Sequence, residues 1–145
     1  MKVKEEIKNG FLIFFGIGIY FLLMEFIGLA DLFYLRLFNV FIVLYGVNKT
    51  IQSRVNNGKK KFLPNAVAAM ITCLVGVFLS VLGLLIYSYI RGGDAYIENL
   101  SETFLFGGNP SIVMYCISLL FEGIASSVIV TMLLMLYWND KHIAD

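Results

Sequence analysis

The stretch AVAAMITCLVGVFLSVLG, residues 66–83, carries no charged residue and lies inside a longer apolar run at residues 64–90. At about 1.5 Å per residue, such a run forms a helix that covers the roughly 30 Å of membrane hydrocarbon. Small residues recur in it at steps of three and four, which places them on one side of the helix. Small side chains let a second helix approach closely, and close packing is a main source of helix association in lipid. The residues of this predicted helix-packing seam are Ala66, Ala69, Cys73, Gly76, Ser80 and Gly83.

The composition of the whole chain is that of a membrane protein. Of 145 residues, 59% are hydrophobic and 14% are charged, whereas a soluble domain is about half apolar and about one quarter charged. The mean hydropathy is +0.83. Too little polar surface remains to cover a globule in water, so we expect lipid to be the solvent for most of the exterior.

Charged residues and helix breakers divide the chain into four apolar runs. We predict membrane spans at residues 9–29, 32–48, 64–90 and 111–138. Each is expected to be a helix, because a backbone in lipid must satisfy its own hydrogen bonds. A short amphipathic helix is predicted at residues 94–106, on the outer membrane surface. The predicted fold class is therefore an all-α polytopic membrane protein, a single four-helix domain over residues 1–145.

Basic residues are distributed unevenly between the loops. Lys2, Lys4 and Lys8 precede the first span, the segment 49–61 forms a basic loop after the second, and Lys141 follows the fourth. Four crossings place all of these segments on one side of the membrane. Because basic loops are retained in the cytoplasm, we predict that both termini are cytoplasmic and that the protein lies in a bacterial inner membrane.

One acidic residue lies in the middle of the fourth predicted span. Glu122 is about 17 Å from the outer end of that helix, close to the midplane. The same arithmetic places Ser80, Asn39 and Tyr20 within about one turn of that level, and Ser118 shares the helix face of Glu122. A charged carboxylate at this depth costs a few kcal/mol. These five residues form the predicted intramembrane polar cluster.

Two interpretations of Glu122 remain open. It can act as a latch that hydrogen-bonds to a neighbouring helix or a partner subunit, or it can carry protons or bind a cation during transport. The latch is favoured, because Ser126, Ser127 and Thr131 offer only a thin polar path below the carboxylate. A second acid, Glu25, lies just before the first turn and is predicted to form an outer-boundary ion pair with Arg36 just after it.

The sequence contains no motif of an enzyme, a metal centre or a cofactor site. Its one histidine, His142, lies beyond the last predicted span, so this chain alone cannot build a bis-histidine haem or a His-rich metal centre within the membrane. Cys73 and Cys116 are expected in opposite halves of the membrane, beyond disulfide reach. We therefore expect no enzymatic activity, no cofactor and no nucleic-acid partner.

Several segments together define a layout: a tight first hairpin, the basic VLYGVNKTIQSRVNNGKKKF, a small-residue-rich third span ending in LLIYSYI, and the outer DAYIENLSETF. This layout resembles a bacterial family of small four-span membrane proteins of unknown function. The resemblance implies a four-helix fold and an inner-membrane location, and it supplies no activity. Where members of that family often have a proline after the third span, this chain has RGGD.

The expected function is non-enzymatic. We predict an accessory or structural subunit of a larger inner-membrane complex that acts through helix packing, with membrane lipids and other membrane subunits or a second copy as partners. The aromatic-rich first two spans have more apolar surface than a small bundle can bury. The alternative is a small proton- or cation-coupled transporter that works through Glu122.

Overall fold

Four α-helices and a short 3-10 helix make up the described part of the chain. The computed structural model describes residues 4–28, 38–93, 95 and 112–141. The elements are α1 (Lys4–Ile27), α2 (Asn39–Asn56), α3 (Phe62–Ile90), α4 (Ile112–Tyr137) and the 3-10 helix Asn139–Lys141. The predicted all-helical fold is confirmed over these residues. The amphipathic helix predicted at residues 94–106 lies outside them, except for residue 95.

Three of the helices, α1, α3 and α4, are long and apolar enough to cross a membrane. They indicate a multi-pass membrane protein, as the composition predicts. Helix α2 is not among these candidate spans, so the second of the four predicted crossings, residues 32–48, is not shown. Residues 32–37 of that predicted span lie outside the described part of the chain.

Helix α2 extends further than the sequence predicted. It continues to Asn56, through much of the segment that we expected to be a basic loop. The helix is terminated by Gly58, two residues further on, which has a φ of 81° and accepts this left-handed conformation without a Cβ clash. The amide of Lys59 donates to the carbonyl of Arg54 and the amide of Gly58 to that of Val55, the two hydrogen bonds of a Schellman motif. The loop to α3 is therefore only a few residues long.

Helix α3 is the centre of the bundle, because it contacts each of the other three helices. Helices α1 and α2 run antiparallel: Asn9 hydrogen-bonds to Thr50 near one end of the pair, and Gly16 packs against Ile42 further along. Helix α4 runs antiparallel to α3. One end of the bundle is thus formed by the start of α1, the end of α2, the start of α3 and the end of α4.

This end, called the basic end below, carries most of the described positive charge. The lysines in or beside it are exposed, whereas Arg54 is buried. The exposed lysines are Lys4, Lys8, Lys49, Lys59, Lys60, Lys61 and Lys141.

The side chain of Ile13 determines how closely three helices approach. It is fully buried and lies between Gly46 of α2 and Gly76 of α3. A Cβ at Gly46 would lie 2.4 Å from the Cγ1 of Ile13, and a Cβ at Gly76 would lie 2.6 Å from its Cγ2. Only glycine fits at these two contacts, so α1 packs against the backbones of both neighbours.

The residues of the predicted packing seam on α3 are divided between two neighbouring helices. Gly76 and Gly83 lie against Ile13 and Phe14 of α1, whereas Cys73 lies against α4. Ala69 is buried and Ala66 is half-buried beside the core. The remaining member, Ser80, is half-buried. A seam on one helix thus serves two partners.

The buried apolar residues form two clusters. The larger includes Ile13, Val47, Ile51, Ala69 and Val130 and contacts all four helices. The smaller is built around Ile112, Tyr115 and Cys116, with Phe21 and Leu84 packed against it. Between the clusters the packing is incomplete, and a cavity remains.

We expect Gly76→Ala to lower the thermal stability of the protein purified in detergent. The added methyl would overlap Ile13 at a buried position, and overpacking of this kind costs about 1–3 kcal/mol. The matched control is Gly18→Ala, since no atom lies within 4 Å of the position of that Cβ. Equal melting temperatures for the two variants would contradict the proposed role of the Gly76 contact.

Candidate functional site

Six polar side chains from three helices are buried towards the basic end. They include an acid and a base, Glu6 with 1% and Arg54 with 8% of its surface exposed. We call them the polar network: Glu6 and Asn9 on α1, Thr50 and Arg54 on α2, and Asn65 and Thr72 on α3. A buried polar group is costly without a partner, so the hydrogen bonds among these residues decide whether the bundle is stable.

The first half of the polar network is centred on Arg54. Its Nη1 donates to Glu6 Oε1 at 3.0 Å and its Nε donates to Asn65 Oδ1 at 2.7 Å. Asn65 in turn donates from Nδ2 to the carbonyl of Lys59 at 2.8 Å. Charge-assisted hydrogen bonds are stronger than neutral ones. One guanidinium group therefore joins the end of α2 to the starts of α1 and α3, and Asn65 also fixes the loop between α2 and α3.

The second half is a chain of neutral hydrogen bonds deeper in the bundle. Thr72 Oγ1 donates to the carbonyl of Ala68 at 2.9 Å, so its hydrogen is not available to Thr50. The Thr50 hydroxyl is 2.9 Å from Thr72 Oγ1 and 3.5 Å from the carbonyl of Gly46, and the shorter contact favours donation to Thr72. It also accepts a hydrogen from Asn9 Nδ2 at 2.8 Å. A hydroxyl can donate once and accept twice. The Thr50 hydroxyl can therefore bond to both neighbouring helices and still use its single hydrogen.

The sequence interpretation missed this network. It placed Thr50 and Arg54 in a solvated loop, whereas both are buried on α2. A signal was present: Val43, Val47, Ile51 and Val55 continue at helical spacing through the basic segment and are all buried. The polar residues between these four positions lower the mean hydropathy of the segment, so the helical period was missed.

A cavity of about 320 Å³ lies in the other half of the bundle, between the two apolar clusters. Residues of all four helices line it, and its wall is mostly aliphatic and aromatic. Side chains with polar atoms form a small part of that wall, namely Asn39, Ser80, Tyr87, Tyr115, Glu122 and Ser126.

Three of the five residues of the predicted intramembrane polar cluster lie on the cavity wall. They are Glu122, Ser80 and Asn39, which come from three different helices. Tyr20 and Ser118 are half-buried and are not among the lining residues. The Ser80 hydroxyl donates to the carbonyl of Gly76 at 2.7 Å, which leaves its oxygen available only as an acceptor. Glu122 is half-buried.

Hydroxyl groups below Glu122 do not form a continuous path. Ser127 Oγ donates to the carbonyl of Gly123 at 2.7 Å, and Thr131 Oγ1 donates to Met70 Sδ at 3.3 Å. Their hydrogens are thus used locally, and the buried Cys73 and Val130 lie beside them. Within the described residues, no hydrogen-bonded chain joins the cavity to the polar network.

Glu25 lies at the end of the bundle opposite the basic end. Its Oε1 is 3.4 Å from Nη2 of Arg91, and the guanidinium group of Arg91 lies 5.9 Å from the ring centre of Tyr87. The predicted partner of Glu25, Arg36, lies outside the described residues, so the pair Glu25–Arg36 stays a prediction. Arg91 was not foreseen as a partner because it follows α3, far from Glu25 in sequence.

The described residues contain no group of three His, Cys, Asp or Glu side chains that could hold a metal ion. Cys73 and Cys116 are both buried and unbridged. The site is therefore defined by one ion pair, one hydroxyl chain and one cavity, in a multi-pass helical membrane protein. Comparison with family models, with curated proteins and with solved structures gives no match, so the resemblance to small four-span proteins stays an expectation.

We expect Arg54→Met to lower the free energy of unfolding by about 3 kcal/mol, because it leaves Glu6 as a buried charge without its partner. The double variant Glu6→Met with Arg54→Met removes both charges and is expected to lose less. Lys8→Met is the control, since it removes an exposed charge from the same end of α1. Chemical unfolding in mixed micelles measures all four proteins. A double variant less stable than Arg54→Met would contradict the ion-pair role.

Proposed function

We propose that this chain is a non-enzymatic integral membrane protein of the bacterial inner membrane. In this proposal it serves as an accessory or structural subunit of a larger complex and acts through helix packing. The observation that carries the proposal is the uneven burial of α1. Its buried residues all lie in its first half, namely Glu6, Asn9, Gly10 and Ile13.

The second half of α1 is left without buried residues by the rest of the chain. It presents large apolar side chains outward at steps of three and four, on a face that ends in Phe26, which is 91% exposed. The outward residues are Phe15, Ile19, Leu22, Leu23, Phe26 and Ile27. A face of this kind suits a partner helix in the membrane, where association depends on close packing.

The interior of the bundle supports the same proposal. Arg54 bonds to Asn65 and Glu6, and Thr50 bonds to Asn9 and Thr72. Glu6 Oε2 is buried without a hydrogen-bond partner. The polar groups near the basic end therefore bind the protein's own helices and leave the outer apolar surface as the part available to a partner.

We expect Ile19→Trp to release the protein from its complex. An enlarged side chain is tolerated against fluid lipid, but in a packed interface it costs about 1–3 kcal/mol. The control is Leu133→Trp on α4, an exposed apolar residue that lies on another helix. Native gel electrophoresis of mild-detergent extracts, at native expression levels, reports the size of the assembly.

A shift of Ile19→Trp to the size of a free protomer, with Leu133→Trp unchanged, is the expected result. Migration of the wild type itself as a free protomer would refute the subunit proposal. Equal effects of the two tryptophans would show that α1 has no special part in assembly.

The proposed orientation, with both termini in the cytoplasm, is supported by the exposed lysines of the basic end and by the positive-inside tendency of membrane proteins. We expect Lys60→Cys to react with a membrane-impermeant maleimide only after cells are permeabilised. Ala95→Cys, also at an exposed position, is expected to react in intact cells. Buried Cys73 and Cys116 make the wild type the blank. Reaction of both variants in intact cells would overturn the topology.

A second candidate function is cation- or proton-coupled transport through Glu122. The observation that favours it is the position of this carboxylate on the wall of the cavity that all four helices line, since acids within a membrane often mark ion pathways. Proton-linked flux that Glu122→Gln abolishes, in a protein whose assembly is unchanged, would favour transport over the accessory role.

A further inference from the structure

Two exposed lysines lie at nearly the same level on the neighbouring helices α1 and α2. Asn9 of α1 donates to Thr50 of α2 at 2.8 Å, and Lys8 and Lys49 each precede one member of this bonded pair. Because the helices run antiparallel, the two lysines differ in depth by two residue rises, or about 3 Å. Both are exposed, so two positive charges lie at one height of the bundle.

The two lysines also lie on the same side of the helix pair. Gly10 and Ile51, two positions further along α1 and α2, are buried, and Gly10 packs against Val75 of α3. Residues two positions apart on a helix lie about 160° apart around its axis, so Lys8 and Lys49 lie on the side away from α3. They flank the groove between α1 and α2 on that side, called the outer groove below.

The same lysines mark the level at which the charged part of both helices ends. After Lys8 the next charged residue of α1 is Glu25, and α2 has no charged residue before Lys49. Lysines near the ends of membrane helices extend their ammonium groups to the interface while their stems stay on apolar surface. The phosphates of the lipid headgroups are therefore expected at the level that these two ammonium groups reach.

The walls of the outer groove are apolar below the lysines. Leu12 of α1 and Tyr45 of α2 lie one turn deeper than the lysines, with 38% and 62% of their surfaces exposed. Deeper still, Ile42 packs against Gly16 and closes the space between the helices. Tyrosine is enriched at the level where headgroups meet hydrocarbon. A pair of positive charges above an apolar groove suits a molecule with an anionic head and acyl chains.

The other charges nearby leave this part of the surface positive. Lys4 and Glu5, in the turn before Lys8, are both exposed. Within the described part of the chain, no ion pair engages Lys8 or Lys49, and the buried ion pair of the polar network adds no net charge. Three lysines and one acid thus determine the charge around the mouth of the groove, which favours an anion.

We propose that the outer groove binds one anionic phospholipid from the leaflet at the basic end. The ammonium groups of Lys8 and Lys49 hold its phosphate, and its acyl chains lie along Leu12 and Tyr45. This binding does not depend on the accessory role, since neither lysine is among the outward residues of α1 that are offered to a partner helix.

The test uses the full-length protein with the substitution Tyr45→Trp, in phosphatidylcholine vesicles that contain increasing fractions of phosphatidylglycerol brominated on its acyl chains. Bromine quenches the fluorescence of a tryptophan only at close range, so quenching reports a lipid in the groove. The wild type, whose one tryptophan is Trp138, gives the background. Brominated phosphatidylcholine is the comparison lipid without net charge.

The charge variant combines Lys8→Gln with Lys49→Gln. Its matched control combines Lys60→Gln with Lys61→Gln, which removes two exposed lysines from the loop at the same end of the bundle. A third variant combines Lys8→Arg with Lys49→Arg and keeps both charges.

The expected result is an affinity for phosphatidylglycerol about tenfold or more above that for phosphatidylcholine. Loss of both groove lysines is expected to bring the two affinities close to equal, since each lysine near a membrane surface changes the affinity for anionic lipid by about fivefold. The loop control and the arginine variant are expected to keep the preference.

Equal quenching by the two lipids would overturn the proposal. An equal loss of preference in the groove variant and the loop control would show diffuse attraction to the whole basic end, and would overturn it too. So would displacement of the lipid by soluble glycerol phosphate, which has the headgroup charge without the chains. The gel assay of assembly is independent of these measurements, so failure of the lipid site and failure of the accessory role can be told apart.

Discussion

The bundle depends on one buried guanidinium group. Arg54 lies near the end of α2, donates to Glu6 of α1 and Asn65 of α3, and is 8% exposed. A buried charge is tolerated only when it is paired and hydrogen-bonded, so this position requires all three helices at once. The hydrogen bonds of Arg54, and the Thr50 chain about one turn deeper, fix the three helices relative to one another.

The two halves of the molecule are built on different principles. Towards the basic end, polar side chains are paired and glycines bring backbones close to Ile13. In the other half, the second half of α1 has no buried residue. Strong fixation in one half permits looser packing in the other, and the cavity lies there. Glu122 on its wall is thus separated from the ion pair between Glu6 and Arg54.

The sequence predicted most of the fold because membrane helices are marked by length and hydropathy, as in α1, α3 and α4. It failed for α2 because Asn48, Lys49 and Arg54 lower hydropathy without interrupting the helical period. Helical rise places Glu122, Ser80 and Asn39 near one level, and all three line the cavity. Tyr20 and Ser118 are predicted at that level too but are not among the lining residues, because helical rise does not fix the direction of a side chain. The polar network was beyond reach, since its partners are 41 and 48 positions apart and only the packed helices bring them together.

The position of Arg54 also constrains the order in which the protein is assembled. Helix α2 is made before α3, yet Arg54 obtains its Asn65 partner only when the start of α3 is in place. Until then, among the described residues, the charge of Arg54 has Glu6 as its ionic partner. During synthesis, α2 is therefore expected to wait at the membrane surface and to settle between its neighbours only after α3 has inserted. Assembly of the bundle is then a concerted step in which α1, α2 and α3 reach their final positions together.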